Sequence, residues 1–188
     1  MKHHLNFYKN KRVLITGHTG FKGSWLTCIL SIFGAKLFGY SNKGYENSIS
    51  FDALKLKNHI HSVFGEINDF SKLKKTINNI KPEIIFHLAA QPLVSNSIVN
   101  PRETFMTNST GTLNILDIIK TSKFVKSAVI ITSDKCYKNI SQVWGYKEND
   151  QLGGDDPYSA SKASSEIIFN AYQKSFFISN SKLGISTA

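Results

Sequence analysis

Two arginines, Arg12 and Arg102, and two cysteines, Cys28 and Cys136, are all that this chain of 188 residues contains of either type. Cysteines so far apart, outside any CxxC or Cys/His spacing, exclude a disulfide framework and a zinc-ribbon site. Of the 23 basic residues, all but the two arginines are lysine, and the formal net charge is +10. A basic chain raises the question of nucleic acid, but the lysines are scattered and arginine is the preferred reader of guanine edges and phosphate forks. The charge is therefore read as a biased usage of lysine, asparagine and isoleucine plus some attraction for anionic substrates, with no nucleic-acid partner. No uninterrupted apolar run reaches membrane-spanning length, and the start "MKHHLNFYKNKR" lacks an apolar signal region. The expectation is a cytoplasmic chain with no membrane partner. His3, His4, His59 and His61 come in close pairs, but no carboxylate or cysteine completes a ligand set, so no metal is expected.

What is present is an alternation. Short β-branched runs ("RVLITG", "KLFGYS", "SVFGEI", "PEIIFHLAA", "SAVIITS") are separated by longer helical patterns. The latter include "FKGSWLTCILSIFGA", "FSKLKKTINNI", a helix from about Asn96 to Ser122 and another from about Asp156 to Ser175. Strands alternating with crossover helices predict a doubly wound parallel α/β sheet, and runs as continuously apolar as "EIIFHL" predict strands covered on both faces. Gly34 is expected to close the first helix, and Ser71 and Asp156 to lie near the starts of later ones. The length suits one domain, residues 1–188, and "KLGISTA" reads as the beginning of another core strand.

"LITGHTGFKGSWL" sets Gly17, Gly20 and Gly23 three residues apart between the first strand and the first helix. That position is where a dinucleotide fold needs a tight turn, a backbone bare of Cβ beside the pyrophosphate, and close helix packing. An acid that would hold the adenosine ribose is expected some twenty residues on. Tyr40 and Ser41 stand there instead, and Lys43 could meet a 2′-phosphate, so this site does not settle the expected cofactor, NAD, against NADP. After the third strand Glu66 is a candidate for the adenine amino group and Ile67 for the ring face.

"TSDKCY" follows the fifth apolar run, where ligands of open α/β sheets gather. Tyr158 and Lys162, in "DPYSASK", are four apart and share one helix face. The lysine's charge would favour a tyrosinate able to take a proton from a sugar hydroxyl, with Ser133 binding the same oxygen. Asp134 and Lys135 exceed what alcohol oxidation needs. An adjacent acid and base suit a further proton transfer such as loss of water, while an N-cap or ion pair is the alternative.

Through "TGHTGFKGSWL", "PEIIFHLAAQPLV", "TSDKCY", "VWGYKENDQLGGDDPYSASK" and "SFF", the chain resembles the extended short-chain dehydrogenase/reductase family over nearly its whole length. Within that family it is similar to the nucleotide-sugar 4,6-dehydratases, in particular the branch acting on CDP-glucose. In dTDP-glucose members the triplet is typically Thr-Asp-Glu, so Lys135 is a departure that the CDP-glucose branch shares. The resemblance implies that Tyr158 is the base at the C4 hydroxyl, Ser133 orients it, Lys162 supports tyrosine and nicotinamide ribose, Asp134 protonates the leaving C6 hydroxyl, and Lys135 is the candidate C5 base. It also implies that Phe21, Leu88, Ala89 and Ala90 line the cofactor channel, that Gln91 lies beside the sugar site, that Asn108 belongs to the structural and active-site network on the substrate side, and that the product serves deoxysugar and O-antigen biosynthesis. Members are about twice as long and carry a C-terminal substrate domain, so a dinucleotide-binding portion lacking that domain is expected here, whose activity alone is open. A related 4-epimerase or reductase, or an inactive NAD-binding fragment, are the competing readings. The two long helices are compatible with a homodimer face.

Overall fold

The structure, a computed structural model, describes residues 6–45, 48–180 and 182–188. Among the described residues six parallel strands form one sheet: β1 (Arg12–Thr16), β2 (Lys36–Ser41), β3 (His61–Phe64), β4 (Ile84–His87), β5 (Ser127–Ile130) and β6 (Gly184–Thr187). Their order is β3-β2-β1-β4-β5-β6. β1 lies at the centre, with Thr16 opposite Tyr40 on one side and His87 on the other. The chain therefore leaves β1 in one direction and returns past it in the other, which opens a crevice at the carboxyl ends of β1 and β4. "KLGISTA" does supply a strand, which pairs with β5 from Gly184 to Thr187.

The helices are α1 (Phe21–Ile32), α2 (Ile49–Ala53), α3 (Phe70–Ile80), α4 (Val94–Val99), α5 (Pro101–Phe105), α6 (Gly111–Thr121) and α7 (Pro157–Tyr172). Successive residues of β1 divide between two cores, as the period of a strand requires. Leu14 joins Leu73, Ile77, Ile115, Leu116 and Phe169 under α3, α6 and α7. Val13 and Ile15 join Leu30, Phe51 and Leu56 under α1 and α2. All three β1 residues are fully buried, so the strand has no polar face to show. Gly34, with φ +73, ends α1, and the amides of Gly34 and Ala35 satisfy the last carbonyls of Ser31 and Leu30.

The single helix expected from Asn96 to Ser122 is divided. Pro101 cannot donate and restricts Asn100, which leaves the helical region (φ −125, ψ 63), so α4 stops at Val99 and α5 starts with proline at its first position. A π-helical turn, Met106–Thr110, then joins α5 to α6 and carries Asn108 inward. The first long helix after the glycine turn and the helix from Asp156 follow their expected extents, and Asp69 rather than Ser71 caps α3.

Asp156 caps α7: its carboxylate accepts from the Ser159 amide at 3.0 Å and the Ser159 hydroxyl at 2.6 Å. Burial alone would raise its pKa, but these bonds outweigh burial and hold the carboxyl below its ordinary range. Asp156→Ala is expected to lower stability by about 1 kcal/mol, read as a reduced urea midpoint. An unchanged midpoint would mean that packing alone holds α7 in place.

Candidate active site

The turn after β1 is shaped by what cannot fit in it. Gly17 has φ +70, and a Cβ there would stand 2.8 Å from the Ala89 amide nitrogen. The turn therefore touches the backbone that follows β4. A Cβ on Gly23 would overlap the Gly17 carbonyl, so α1 sits directly on the turn. Gly20 is the N-cap residue and no side chain caps the helix. The first amides of α1, from Phe21 to Gly23, thus keep their hydrogen-bonding capacity at the positive pole of the helix, and Phe21 is exposed beside them. This cradle fits a diphosphate.

His18 was not singled out by its sequence, yet it fastens the turn. Its ring is wholly buried, 2.8 Å from the Ser41 hydroxyl through Nδ1 and 2.8 Å from the Ser62 hydroxyl through Nε2, and edge-on to Phe51. Burial pushes its pKa down to about 4. A lone histidine among glycines gives no signal of this role, because both partner serines come from other strands.

Those bonds also decide the adenosine end. Tyr40 is buried and donates its hydroxyl to the Glu66 carbonyl at 3.1 Å, and burial first, then the charges of Asp69 and Glu66, push its pKa up to about 12. Ser41 is taken by His18 and the Thr19 amide. Neither side chain is left for a ribose. Glu66 stays exposed, its Oε1 accepting from the Asn42 amide at 2.5 Å. Ile67 is buried against Gly111, and its carbonyl accepts from Asn114 at 3.0 Å.

At the end of β4 the Thr16 hydroxyl receives the Leu88 and Ala89 amides at 3.2 and 3.1 Å and pairs with His87 Nδ1 at 2.8 Å. His87 is buried beside Thr112, and burial, aided by the charge of Lys162, pushes its pKa down to about 3. Leu88, Ala89 and Ala90 are partly exposed along the crevice. Gln91 and Asn108, expected on the substrate side, are both buried and committed to the scaffold. The Gln91 side chain bonds Leu93 and Thr104, while the Asn108 amide bonds both backbone groups of Gln91 and the Ser161 hydroxyl.

At the end of β5, Asp134–Cys136 forms a 3-10 turn against which α7 packs. Ser133 donates to Asp134 Oδ1 at 3.0 Å and accepts from the Lys135 amide at 3.2 Å, and Asp134 and Lys135 are exposed. Lys162 is 5% exposed, and its Nζ donates to the Ile131 carbonyl at 3.2 Å, two residues before Ser133. Burial lowers its pKa to about 8, helped by the positive charge of Lys22 in the first turn of α1. Tyr158, one helical turn earlier, is half-buried, and its hydroxyl takes no hydrogen-bond partner among the described residues. α7 thus packs on the serine turn and brings Lys162 to the end of β5 and toward the charge of Lys22 in α1. Such a set can move protons at a bound alcohol.

Of the paired histidines, His59 and His61 are exposed and His3 and His4 lie outside the described residues. Among the described residues no cluster of three or more His, Cys, Asp or Glu is arranged for a metal, and no helix is long and apolar enough to cross a membrane.

Residues 14–185 match the family model of GDP-mannose 4,6-dehydratase. The chain is 48% identical over 172 residues to CDP-glucose 4,6-dehydratase of Salmonella typhimurium, covering 92% of this chain and 48% of that protein. Its backbone is similar to that of an epimerase from Methanothermobacter thermautotrophicus, with a TM-score of 0.84 and 26% identity over 97% of this chain and 52% of that one. It is also similar in fold to dTDP-glucose 4,6-dehydratase from Streptomyces venezuelae, solved with NAD bound, at a TM-score of 0.79 and 24% identity, covering 94% of this chain and 54% of that one. The chain spans about half the length of the curated relatives it matches.

Both buried histidines have folded pKa values, about 4 and about 3, below the ordinary 6.5. The unfolded chain therefore takes up protons first on acidification, so their contribution is intact above about pH 6.5 and is lost as pH falls to about 4 for His18 and about 3 for His87. Stability is expected to fall by up to about 1.4 kcal/mol per pH unit for each histidine. Urea unfolding across this range checks it, with His87→Gln reducing the slope by about half; a flat profile for the parent chain would contradict the neutral, buried rings.

Proposed function

Because this chain belongs to the GDP-mannose 4,6-dehydratase family, we propose that it is the dinucleotide-binding domain of a nucleotide-sugar 4,6-dehydratase that converts CDP-glucose to CDP-4-keto-6-deoxyglucose with loss of water. The observation that carries this reading is the Ser133-Asp134-Lys135 turn lying under the helix that bears Tyr158 and Lys162. The 48% identity to the Salmonella typhimurium enzyme points to the same substrate.

A nicotinamide dinucleotide, NAD in this reading, would supply the hydride chemistry when bound, a hydride leaving C4 and coming back at C6, so that water is the net loss. The cradle at Gly17, Gly20 and Gly23 and the amides of α1 would hold its pyrophosphate, with Leu88, Ala89 and Ala90 along the crevice wall and Glu66 and Ile67 toward the adenine. Tyr158 takes the proton of the C4 hydroxyl while Ser133 orients that oxygen. The buried ammonium of Lys162, charged below about pH 8, stabilises the phenolate form of Tyr158 that accepts this proton. Once C4 is a ketone the C5 proton is acidic, and Lys135 removes it. Asp134 delivers a proton to the departing C6 hydroxyl, and Lys135 gives its proton back to C5 when hydride arrives at C6. Lys135 is exposed before substrate arrives, so the desolvation that a neutral amine requires comes from the bound sugar. Gln91 and Asn108 act on the substrate side by holding the loop after β4.

A 4-epimerase would need Tyr158, Lys162 and Ser133 but no acid and base for water loss, and the Asp134-Lys135 pair favours the dehydratase over it. In the same reading the enzyme is cytoplasmic, serves deoxysugar and O-antigen biosynthesis, and forms a homodimer. Exposed Phe105, Met106, Leu113 and Ile167 on the helices after β4 and β5 support that pairing.

The test is incubation with NAD and CDP-glucose, following the sugar's mass, for this chain and for a chimera completed with the C-terminal half of the Salmonella relative. Loss of one water is expected from the chimera; product of unchanged mass, epimerised at C4, would overturn the dehydratase reading. Lys135→Ala is expected to cut turnover by about a hundredfold or more while reduced nicotinamide still accumulates, whereas Tyr158→Phe should abolish both signals. Normal dehydration by Lys135→Ala would remove it as the C5 base.

A further inference from the structure

Beyond Lys162, the face of α7 that carries the tyrosine and lysine holds one more ionisable group. Tyr158, Lys162 and Glu166 follow one another at four-residue intervals and so lie along one side of the helix. The last two grip successive residues at the end of β5. Lys162 Nζ donates to the Ile131 carbonyl at 3.2 Å, and the buried Thr132 hydroxyl donates to Glu166 Oε1 at 2.6 Å. The next residue along the chain is Ser133.

Two adjacent contacts fix what one would leave free to pivot, the angle at which the serine turn meets α7. The backbone bonds at this strand end run to the neighbouring strands instead, from the Ile131 amide to the His87 carbonyl at 3.0 Å and from the Thr132 amide to the Ala188 carbonyl at 2.7 Å. Among the described residues Glu166 makes no direct ion pair. Its charge acts along the helix: burial lowers the pKa of Lys162, the Lys22 ammonium on α1 lowers it further, and Glu166 opposes both. His87, at the end of β4, is neutral above about pH 3, and Asp134 and Lys135, in the turn against which α7 packs, are exposed. Cys136 and Tyr137, on which the Glu166 charge also acts, are kept neutral, chiefly by burial.

Resting on the roles given above to Ser133, Tyr158 and Lys162, we propose that Glu166 is a positioning residue of this site: the bond it accepts from Thr132 sets Ser133 against the helix that bears Tyr158, and the same carboxylate is the counter-charge of the Lys162 ammonium. It acts through Thr132 and Lys162 rather than on the bound sugar. A carboxylate can do both, whereas an amide in its place could do only the first.

Two variants separate these effects: Glu166→Gln keeps an acceptor for Thr132 without the charge, and Thr132→Val keeps the charge without the bond. In this chain, with lysine labelled at Cε, the Lys162 resonance is assigned by its loss from Lys162→Arg and its titration is followed by NMR. The midpoint, near pH 8 in the parent, should fall in Glu166→Gln by at least about half a pH unit, the Coulomb effect of a charge one helical turn away. An unmoved midpoint overturns the counter-charge. In the chimera, Thr132→Val should lower kcat about tenfold with KM for CDP-glucose unchanged, Thr132→Ser should restore it, and Glu166→Gln should move the alkaline limb of the kcat profile down with the titration. Parent kcat in Thr132→Val, or a loss that Thr132→Ser does not restore, overturns the positioning. If the chimera epimerises CDP-glucose instead, the dehydratase reading alone falls, and the same comparison is made on epimerisation, which needs the same serine, tyrosine and lysine. The titration needs neither cofactor nor turnover, so with an inactive chimera the inference stands or falls by it.

Discussion

The contact on which everything else depends is the one between the turn after β1 and the backbone after β4. Gly17 lies so near Ala89 that a single methyl group would force the two apart. Because β1 is the strand at which the winding reverses, that contact joins the two halves of the sheet at the mouth of the crevice. Thr16 reinforces it by receiving two amides from the far side. The pyrophosphate cradle, the crevice wall and the serine turn take their positions from this junction.

Around it the protein builds with neutral polar groups. His18 and His87 are both buried and uncharged, one linking the turn to β2 and β3, the other linking β1 to the helix after the π-helical turn. Asn108 and Gln91 continue the same network toward α7 through Ser161. Buried hydrogen bonds of this kind leave little freedom to shift, since any unpaired member would bear its full desolvation cost. Charge is kept where it acts: the one buried ammonium among the described residues, Lys162, donates to a backbone carbonyl at the end of β5.

The outcome for the individual residues follows from how far their partners lie along the chain. The strands, the glycine spacing and the pairing of Tyr158 with Lys162 rest on neighbours within a few residues, so they were legible as pattern. The helix after β4 was misjudged as continuous because its apolar period runs through Pro101, whose effect on Asn100 is local but outweighs the period. Gln91 is expected beside the sugar site and Asn108 in the structural and active-site network, and the bonds between these two residues, 17 apart in the chain, supply the structural part. Tyr40 and Ser41 occupied the ribose position by count, yet partners 26 and 23 residues away withdraw both from it.

By itself the sequence determined the class of fold and the place of the glycine turn, and it supplied the candidates for proton handling, since period, glycine spacing and helical stacking are written in adjacent positions. Only the tertiary structure decided which polar side chains face the crevice and which are consumed in holding it. Hydrogen-bond commitment is a property of pairs brought together by the sheet. His18, invisible as a letter between two glycine positions, is the residue that shows this most directly: three strands must assemble before its two nitrogens have anything to bind.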